Sequence, residues 1–349
     1  MRYPAFLKEQ GTIGFVAPSF GCSIEPYRTA FDHSIEGWSK MGHGTVLGPN
    51  VYESSGIGIS AAPEKCGREL TEGYVSTDSD VLISCGGGEL MCEILDHVDF
   101  DRIRTAAPKW YMGYSDNTNF TFLLPTLCDT AAIYGPCAAS FGMEPWHDSI
   151  QDAYDLLRGK KLTMTGYPFY EKESLKDEEH PLEPYHTTQP RQIAVFTGDK
   201  PAHTMEDMEE TAFSGRLIGG CMDCLVNLLG TGYDKVAQFT QRYASDGFIW
   251  FLEACDLNVY AIRRAIWEMQ HAGWFGHVKG FLFGRPLNGE EAFGLDHFRA
   301  VTDLLAQYKV PILMDLDIGH LPPMMPIITG AMADVSCKGQ NFELKMRLE

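Results

Sequence analysis

The sequence predicts an α/β protein built on a parallel sheet with helices on both faces. Two observations carry this. In the first half, short apolar runs alternate with helical patterns. The runs are continuous, as Val81-Leu82-Ile83 and Trp110-Tyr111-Met112 are, not alternating, which suits strands covered on both sides. A third observation divides the chain: from Tyr167 to about Glu210, proline, charge and histidine become frequent. The expected organisation is a domain over 1–165, a connecting segment over 166–212 with a few irregular strands, and a second domain over 213–349.

The elements follow in order. Gly11 to Ser19 reads as a buried strand ending in a turn, Pro26 to Met41 as a helix, and Thr45-Val46-Leu47 as the next strand. Ala62 to Tyr74 is helical, and Asp80 to Cys85 is a third strand broken by Gly86-Gly87-Gly88. Glu89 to Leu95 reads as helix, Trp110 to Gly113 as strand, Asn117 to Cys128 as helix and Ala132 to Gly135 as a fifth strand. In the second half, Gly215 to Gly220 opens the domain and Gly247 to Glu253 is a strand. Val259 to His271 is an amphipathic helix, Val278 to Gly284 a strand, Phe298 to Tyr308 a helix and Val310 to Met314 a strand. Ala333 to Leu348 alternates as a terminal hairpin does.

Composition excludes several classes. The chain has 349 residues, 44% hydrophobic, enough for a large core. Its net charge of −19 argues against nucleic-acid or anionic-membrane partners, which need clustered Lys and Arg. Met1 to Gln10 has no basic region followed by an apolar run, so no secretory signal is expected, and no stretch reaches about 20 apolar residues. Ten cysteines, mostly in apolar strings, read as buried free thiols of a cytoplasmic protein.

The sharpest local feature is Gly113-Tyr114-Ser115-Asp116-Asn117, between a buried strand and a helix. A serine on such a turn points its hydroxyl out of the sheet, and the following N–H groups face a developing oxyanion. The plainer reading is a helix N-cap, and the fifth position is Asn, not the Gly of the usual nucleophile elbow. Gly86-Gly87-Gly88 lets backbone N–H groups approach a substrate oxygen, or is only a tight turn. Glu253 closes an apolar strand, where a buried carboxylate needs a partner; otherwise it is a solvated strand end. His320 follows a strand in Asp317-Ile318-Gly319-His320-Leu321-Pro322-Pro323. A nucleophilic serine needs an imidazole base, and the base needs a carboxylate to fix its tautomer. Ser115, Glu253 and His320 can supply that trio, although spacing alone does not establish proximity.

Other features favour plain readings. Cys221-Met222-Asp223-Cys224 has redox or zinc spacing, but no second pair accompanies it, so buried core thiols are preferred. His271 and His277 read as loop histidines. Gly56-Ile57-Gly58 lacks the third glycine of a dinucleotide fingerprint.

Taken in order, Gly11 to Ser19, Gly86 to Gly88, Gly113-Tyr114-Ser115-Asp116, Gly215 to Gly220, Leu252-Glu253 and Gly319-His320 resemble a known family. It is that of the serine carboxypeptidases that include the LD-carboxypeptidases of murein recycling and the microcin C immunity peptidases. The resemblance implies a catalytic triad falling on Ser115, Glu253 and His320. It implies an oxyanion hole from the backbone N–H groups of Asp116 and, among the glycines, Gly88. It also implies an N-terminal parallel-sheet, flavodoxin-like domain, a C-terminal α/β domain with a small barrel-like sheet, a homodimer, and no metal or other cofactor. The expected activity is hydrolysis of an amide near the C-terminus of a small peptide or aminoacyl conjugate. Ser84-Cys85-Gly86-Gly87-Gly88-Glu89 differs from the Arg-Gly-Gly-Tyr of the LD-carboxypeptidases. Cys221 stands where many relatives have Asn, and the long Tyr167 to Pro190 connection looks closer to the microcin immunity branch. The alternatives are an LD-carboxypeptidase acting on murein tetrapeptides, an α/β-hydrolase esterase, and a non-catalytic peptide-binding relative.

Overall fold

The computed structural model describes residues 1–56, 58–197, 200–201 (backbone only) and 210–349, so Ile57 of the Gly-Ile-Gly segment and parts of the 166–212 connection lie outside the described residues. The strands are β1 (Thr12–Val16), β2 (Gly44–Leu47), β3 (Val81–Ser84), β4 (Trp110–Gly113), β5 (Ala132–Tyr134), β6 (Thr163–Met164), β7 (Phe169–Glu171), β8 (Thr187–Pro190) and β9 (Ala194–Thr197). They continue with β10 (Lys200–Pro201), β11 (Thr211–Cys221), β12 (Phe248–Glu253), β13 (Val278–Gly284), β14 (Pro311–Leu316), β15 (Ile327–Thr329), β16 (Met332–Lys338) and β17 (Asn341–Arg347). The chain divides into two compact units.

The first unit comprises Met1–Lys161, Glu173–His186 and Pro326–Thr329. Its sheet has the order β15-β5-β4-β3-β1-β2, with β1 to β5 parallel and β15 antiparallel to β5. Without β15 this is the flavodoxin-like order 2-1-3-4-5. β3 and β4 are buried at every residue, as parallel strands covered on both faces require. Helix Pro63–Val75, with Pro at its first position, turns Cys66, Leu70 and Tyr74 inward at four-residue spacing. These pack with Val16, Leu82, Tyr111 and Phe120 in one core cluster. The carboxyl ends of β3 and β4 deliver the glycine turn and Ser115, at the sheet edge where such folds bind ligands.

One expectation is corrected here. Residues 117–128 are not one helix. A 3-10 turn, Ser115–Asn117, leads into helix Thr118–Thr121, and a second helix runs over Leu123–Cys128. Pro125 is the reason: it has no N–H to donate and its ring crowds the carbonyl of the preceding turn, so it fits only in the first turn of a new helix. The helix read at Glu89–Leu95 is a 3-10 helix over Met91–His97.

The second unit comprises Leu162–Lys172, Thr187–Met325 and Gly330–Glu349. Its sheet order is β10-β9-β14-β13-β12-β11-β16-β17-β6. The central strands β11 to β14 are parallel, joined through helices that include Met222–Leu228, Val259–His271 and His297–Leu305. Antiparallel strands extend both sides, and β16 and β17 form the terminal hairpin. β10 and β6 end the order, so among the described residues the sheet is open and no closed barrel forms. β7 and β8 pair separately. No described helix is long and apolar enough to cross a membrane. His271 is the last residue of helix Val259–His271, not a loop residue as expected.

Candidate active site

In the first unit, β4 ends at Gly113 and the chain turns at once into the 3-10 turn that starts with Ser115. Tyr114 is extended at φ −137°. Ser115 has φ +63°, a left-handed conformation uncommon outside glycine. A helix N-cap sits in the extended region instead, so this geometry is that of a strained elbow, of the kind that presents a nucleophile. The Ser115 N–H donates to Tyr134 Oη at 3.2 Å.

Asn117, at the position where Gly is usual, is fully buried and works as a lock. Its amide nitrogen donates to Gly86 O at 2.8 Å and to Tyr114 O at 3.0 Å, and its oxygen accepts from Tyr111 Oη. One side chain thus ties the serine turn to the glycine turn. Gly113 makes room for it, since a Cβ there would lie 2.7 Å from Asn117 Cγ. Asp116 is buried and accepts from Ser19 Oγ and from Met91 N at 2.8 Å, while Asn119 donates to its side chain at 3.0 Å.

The glycine turn lies against the serine. A Cβ on Gly87 would stand 3.1 Å from Ser115 Oγ. Gly88 has φ +137°, and a Cβ there would run into Ser19 Oγ and the Gly58 carbonyl. The position therefore excludes every other residue type. The backbone of Gly87 is fixed by its carbonyl, which accepts from Phe20 N at 2.7 Å.

In the second unit, Glu253 is the last residue of β12 and is 1% exposed. Its Oε2 lies 2.8 Å from His320 Nδ1. Gly319, at φ +102°, permits this approach: a Cβ there would be 2.5 Å from Glu253 Oε2. Burial disfavours the charged imidazole, but the Glu253 carboxylate and the Cys255 side chain outweigh it and hold the His320 pKa well above the usual imidazole range. The His320 side chain keeps 12% of its surface open to solvent. The structure thus joins Glu253 to His320, and sets Ser115, Asp116 and Gly88 together within the first unit.

The segment carrying His320 has its own support, which the sequence did not disclose. Asp317, 1% exposed, accepts from Arg285 at 2.6 Å and from Tyr167 N at 2.7 Å, with Arg191 at 3.6 Å. Arg285 also lies 4.4 Å from the centroid of the Tyr170 ring. Arg285 follows β13 directly, and an arginine closing a strand of phenylalanines was the available signal.

Cys221, at the end of β11, is buried and beside the pair: one ligand-capable atom from each of Cys221, Glu253 and His320 lies within 4.8 Å of the others. A hydrogen bond with Cys224, then burial and the Glu253 charge, hold its thiol well above the usual range. β11 pairs with β12 in the register Cys221 to Glu253, which brings the two side by side.

Comparisons with known proteins place the chain in a family. Residues 13–135 match the LD-carboxypeptidase N-terminal domain of the S66 peptidases, and residues 214–335 match the LD-carboxypeptidase C-terminal domain. A Vibrio cholerae protein named as a carboxypeptidase is 23% identical over 99% of this chain and 98% of its own. A Bacillus subtilis protein named as a murein peptide carboxypeptidase is 23% identical over 95% of this chain and 90% of its own. In fold, the chain is similar to an MccF-like protein from Bacillus anthracis, with TM-score 0.82 at 20% identity and full coverage of both chains. It is also similar to the microcin C7 self immunity protein MccF solved in complex with aspartyl sulfamoyl adenosine, with TM-score 0.80, 19% identity, and 100% and 99% coverage. With both domains matched in order, the chain belongs to the S66 LD-carboxypeptidase family of serine peptidases.

Proposed function

We propose that this chain is a serine carboxypeptidase that hydrolyses an amide bond near the C-terminus of a small peptide or aminoacyl conjugate, with Ser115 as nucleophile, His320 as base and Glu253 as the residue that orients the base. The observation that carries the reading is the buried 2.8 Å pair of Glu253 and His320. A carboxylate on Nδ1 leaves Nε2 of the imidazole to exchange a proton with a hydroxyl. The left-handed φ of Ser115 supports the nucleophile.

In the proposed reaction Ser115 Oγ attacks the carbonyl carbon while its proton passes to His320. The N–H groups of Asp116 and Gly88 receive the oxyanion. The imidazolium gives its proton to the departing amine, and water activated by His320 then releases the acid and restores the serine. No step uses a metal or another cofactor.

For substrate, the reading takes an acidic aminoacyl group joined to a nucleotide-like leaving group, in keeping with the ligand named in the related MccF structure. The murein peptide named for the Bacillus subtilis relative is the competing substrate. Purified enzyme incubated with L,D-tetrapeptides and with aminoacyl-sulfamoyl nucleosides, read by mass spectrometry, decides between them. Cleavage of the conjugate supports the reading, cleavage of the tetrapeptide alone replaces it with the murein activity, and cleavage of neither by protein that reacts with a serine probe rejects both substrates. The proposal extends to a homodimer acting in the cytoplasm; sedimentation equilibrium at one chain mass would remove the dimer.

A further inference from the structure

The geometry points to a thiophilic divalent-cation site, of the kind zinc prefers, formed by Cys221, Glu253 and His320. Among the described residues this is the one group of three His, Cys, Asp or Glu side chains whose ligand atoms approach within 4.8 Å of one another. Sulfur, nitrogen and carboxylate oxygen are the donors zinc takes, at about 2.3, 2.0 and 2.1 Å. Those bond lengths set ligand atoms roughly 3.4–3.6 Å apart around a tetrahedral ion. To bind the ion, Cys221 must move in and the 2.8 Å contact between Glu253 and His320 must open.

The backbone holds the donors ready. Cys221 and Glu253 are register partners at the ends of neighbouring parallel strands β11 and β12. His320 comes to the same end of the sheet on the segment anchored by the buried Asp317–Arg285 pair at 2.6 Å. Cys221 and Glu253 are each 1% exposed, while the His320 side chain retains 12%, so the ion enters past the imidazole. Three protein donors leave a fourth position for water. On binding, the ion displaces the proton of the Cys221 thiol and one proton of the His320 imidazolium, both of which leave to solvent, and the nitrogen so freed binds the ion.

The consequence for turnover rests on the function proposed above. An ion held here occupies the carboxylate and the imidazole that proton transfer needs, so zinc silences the enzyme reversibly. An Asn at position 221 would have no thiolate to give, so the device depends on the cysteine.

The test separates the two parts. Metal-free Ser115→Ala protein, which keeps all three donors, is titrated with Co²⁺ and followed by the near-ultraviolet thiolate-to-cobalt charge-transfer band. One equivalent of band, displaced by Zn²⁺, is expected. Cys221→Ala and Cys221→Asn each remove the band and weaken cobalt binding by at least about tenfold, while Cys92→Ser keeps it. No band in folded protein, or a band that survives both Cys221 changes, overturns the site. For regulation, the wild-type rate falls with zinc and returns with a chelator, and each Cys221 variant loses about tenfold or more of that sensitivity relative to its own metal-free rate. A cobalt band without zinc inhibition of active enzyme overturns the regulatory role alone. Absence of turnover with every substrate counts against the peptidase reading and leaves the cobalt result to stand or fall separately.

Discussion

His320 illustrates how single residues decide the chemistry. Burial pulls its pKa down, and the Glu253 carboxylate with Cys255 pushes it up further, so the charged form persists above the usual imidazole range. As the proposed base, His320 must be neutral to accept the serine proton. The rate at limiting substrate should therefore rise with pH through an inflection above about 6.5. In Glu253→Gln the main stabiliser of the imidazolium is lost, so the inflection should move to lower pH while the plateau falls by about 10²–10⁴-fold. A pH–rate profile of both proteins checks this; an unmoved inflection contradicts it. Asn117→Ala should cost about 1–3 kcal/mol, because it removes one of the two donors to the Gly86 carbonyl and the Asn117 acceptor of the buried Tyr111 hydroxyl, leaving Ser84 as their remaining partner. Urea unfolding of the variant measures that loss. At this scale the sequence offered Ser115, Glu253 and His320 as candidates, because polar residues at the ends of apolar strands stand out. It did not reveal Asn117 as a lock, since Asn departs from the elbow pattern and its partners are backbone atoms of a distant turn. Nor did it reveal that Cys221 lies beside Glu253, which only strand register could disclose.

Among the elements, the strands were the most legible. β3, β4, β12 and β13 are near-continuous apolar runs with glycine or polar punctuation, and their bounds agree with the reading to a residue or two. Short helices were not. Phe100–Thr105 and Asp148–Leu157 escaped notice, and Pro125 divided a helix that apolar spacing alone joined. The segment after β14 owes its position to the Asp317–Arg285 pair, which is buried on both sides. Removing one partner of such a pair leaves an uncompensated charge. Arg285→Met should therefore cost about 3–5 kcal/mol, and lower turnover by displacing His320. Chemical denaturation and the catalytic rate, taken together, test it. A variant as stable and as active as the parent would show that Asp317 is held by Tyr167 and Arg191 instead. Gly88→Ala is expected to be as severe for activity, about 10²-fold, because it meets Ser19 and disturbs a proposed oxyanion donor.

For the molecule as a whole, alternation of strand and helix gave the class, and the break in composition after residue 165 marked where the pattern changes. The flavodoxin-like order of β1 to β5 and the open nine-strand order of the second sheet are facts of pairing over long sequence separation, beyond what local periodicity encodes. The central claim is that Ser115 is the nucleophile of a hydrolase in which His320 is the base and Glu253 orients it. Reaction of the purified protein with a fluorophosphonate probe, followed by intact mass and peptide mapping, tests it most directly. The account predicts one adduct per chain, on the peptide containing Ser115, absent in Ser115→Ala and slowed by about 10²-fold or more in His320→Gln. A folded wild-type protein that takes no adduct, or takes it equally well without Ser115, would contradict the account.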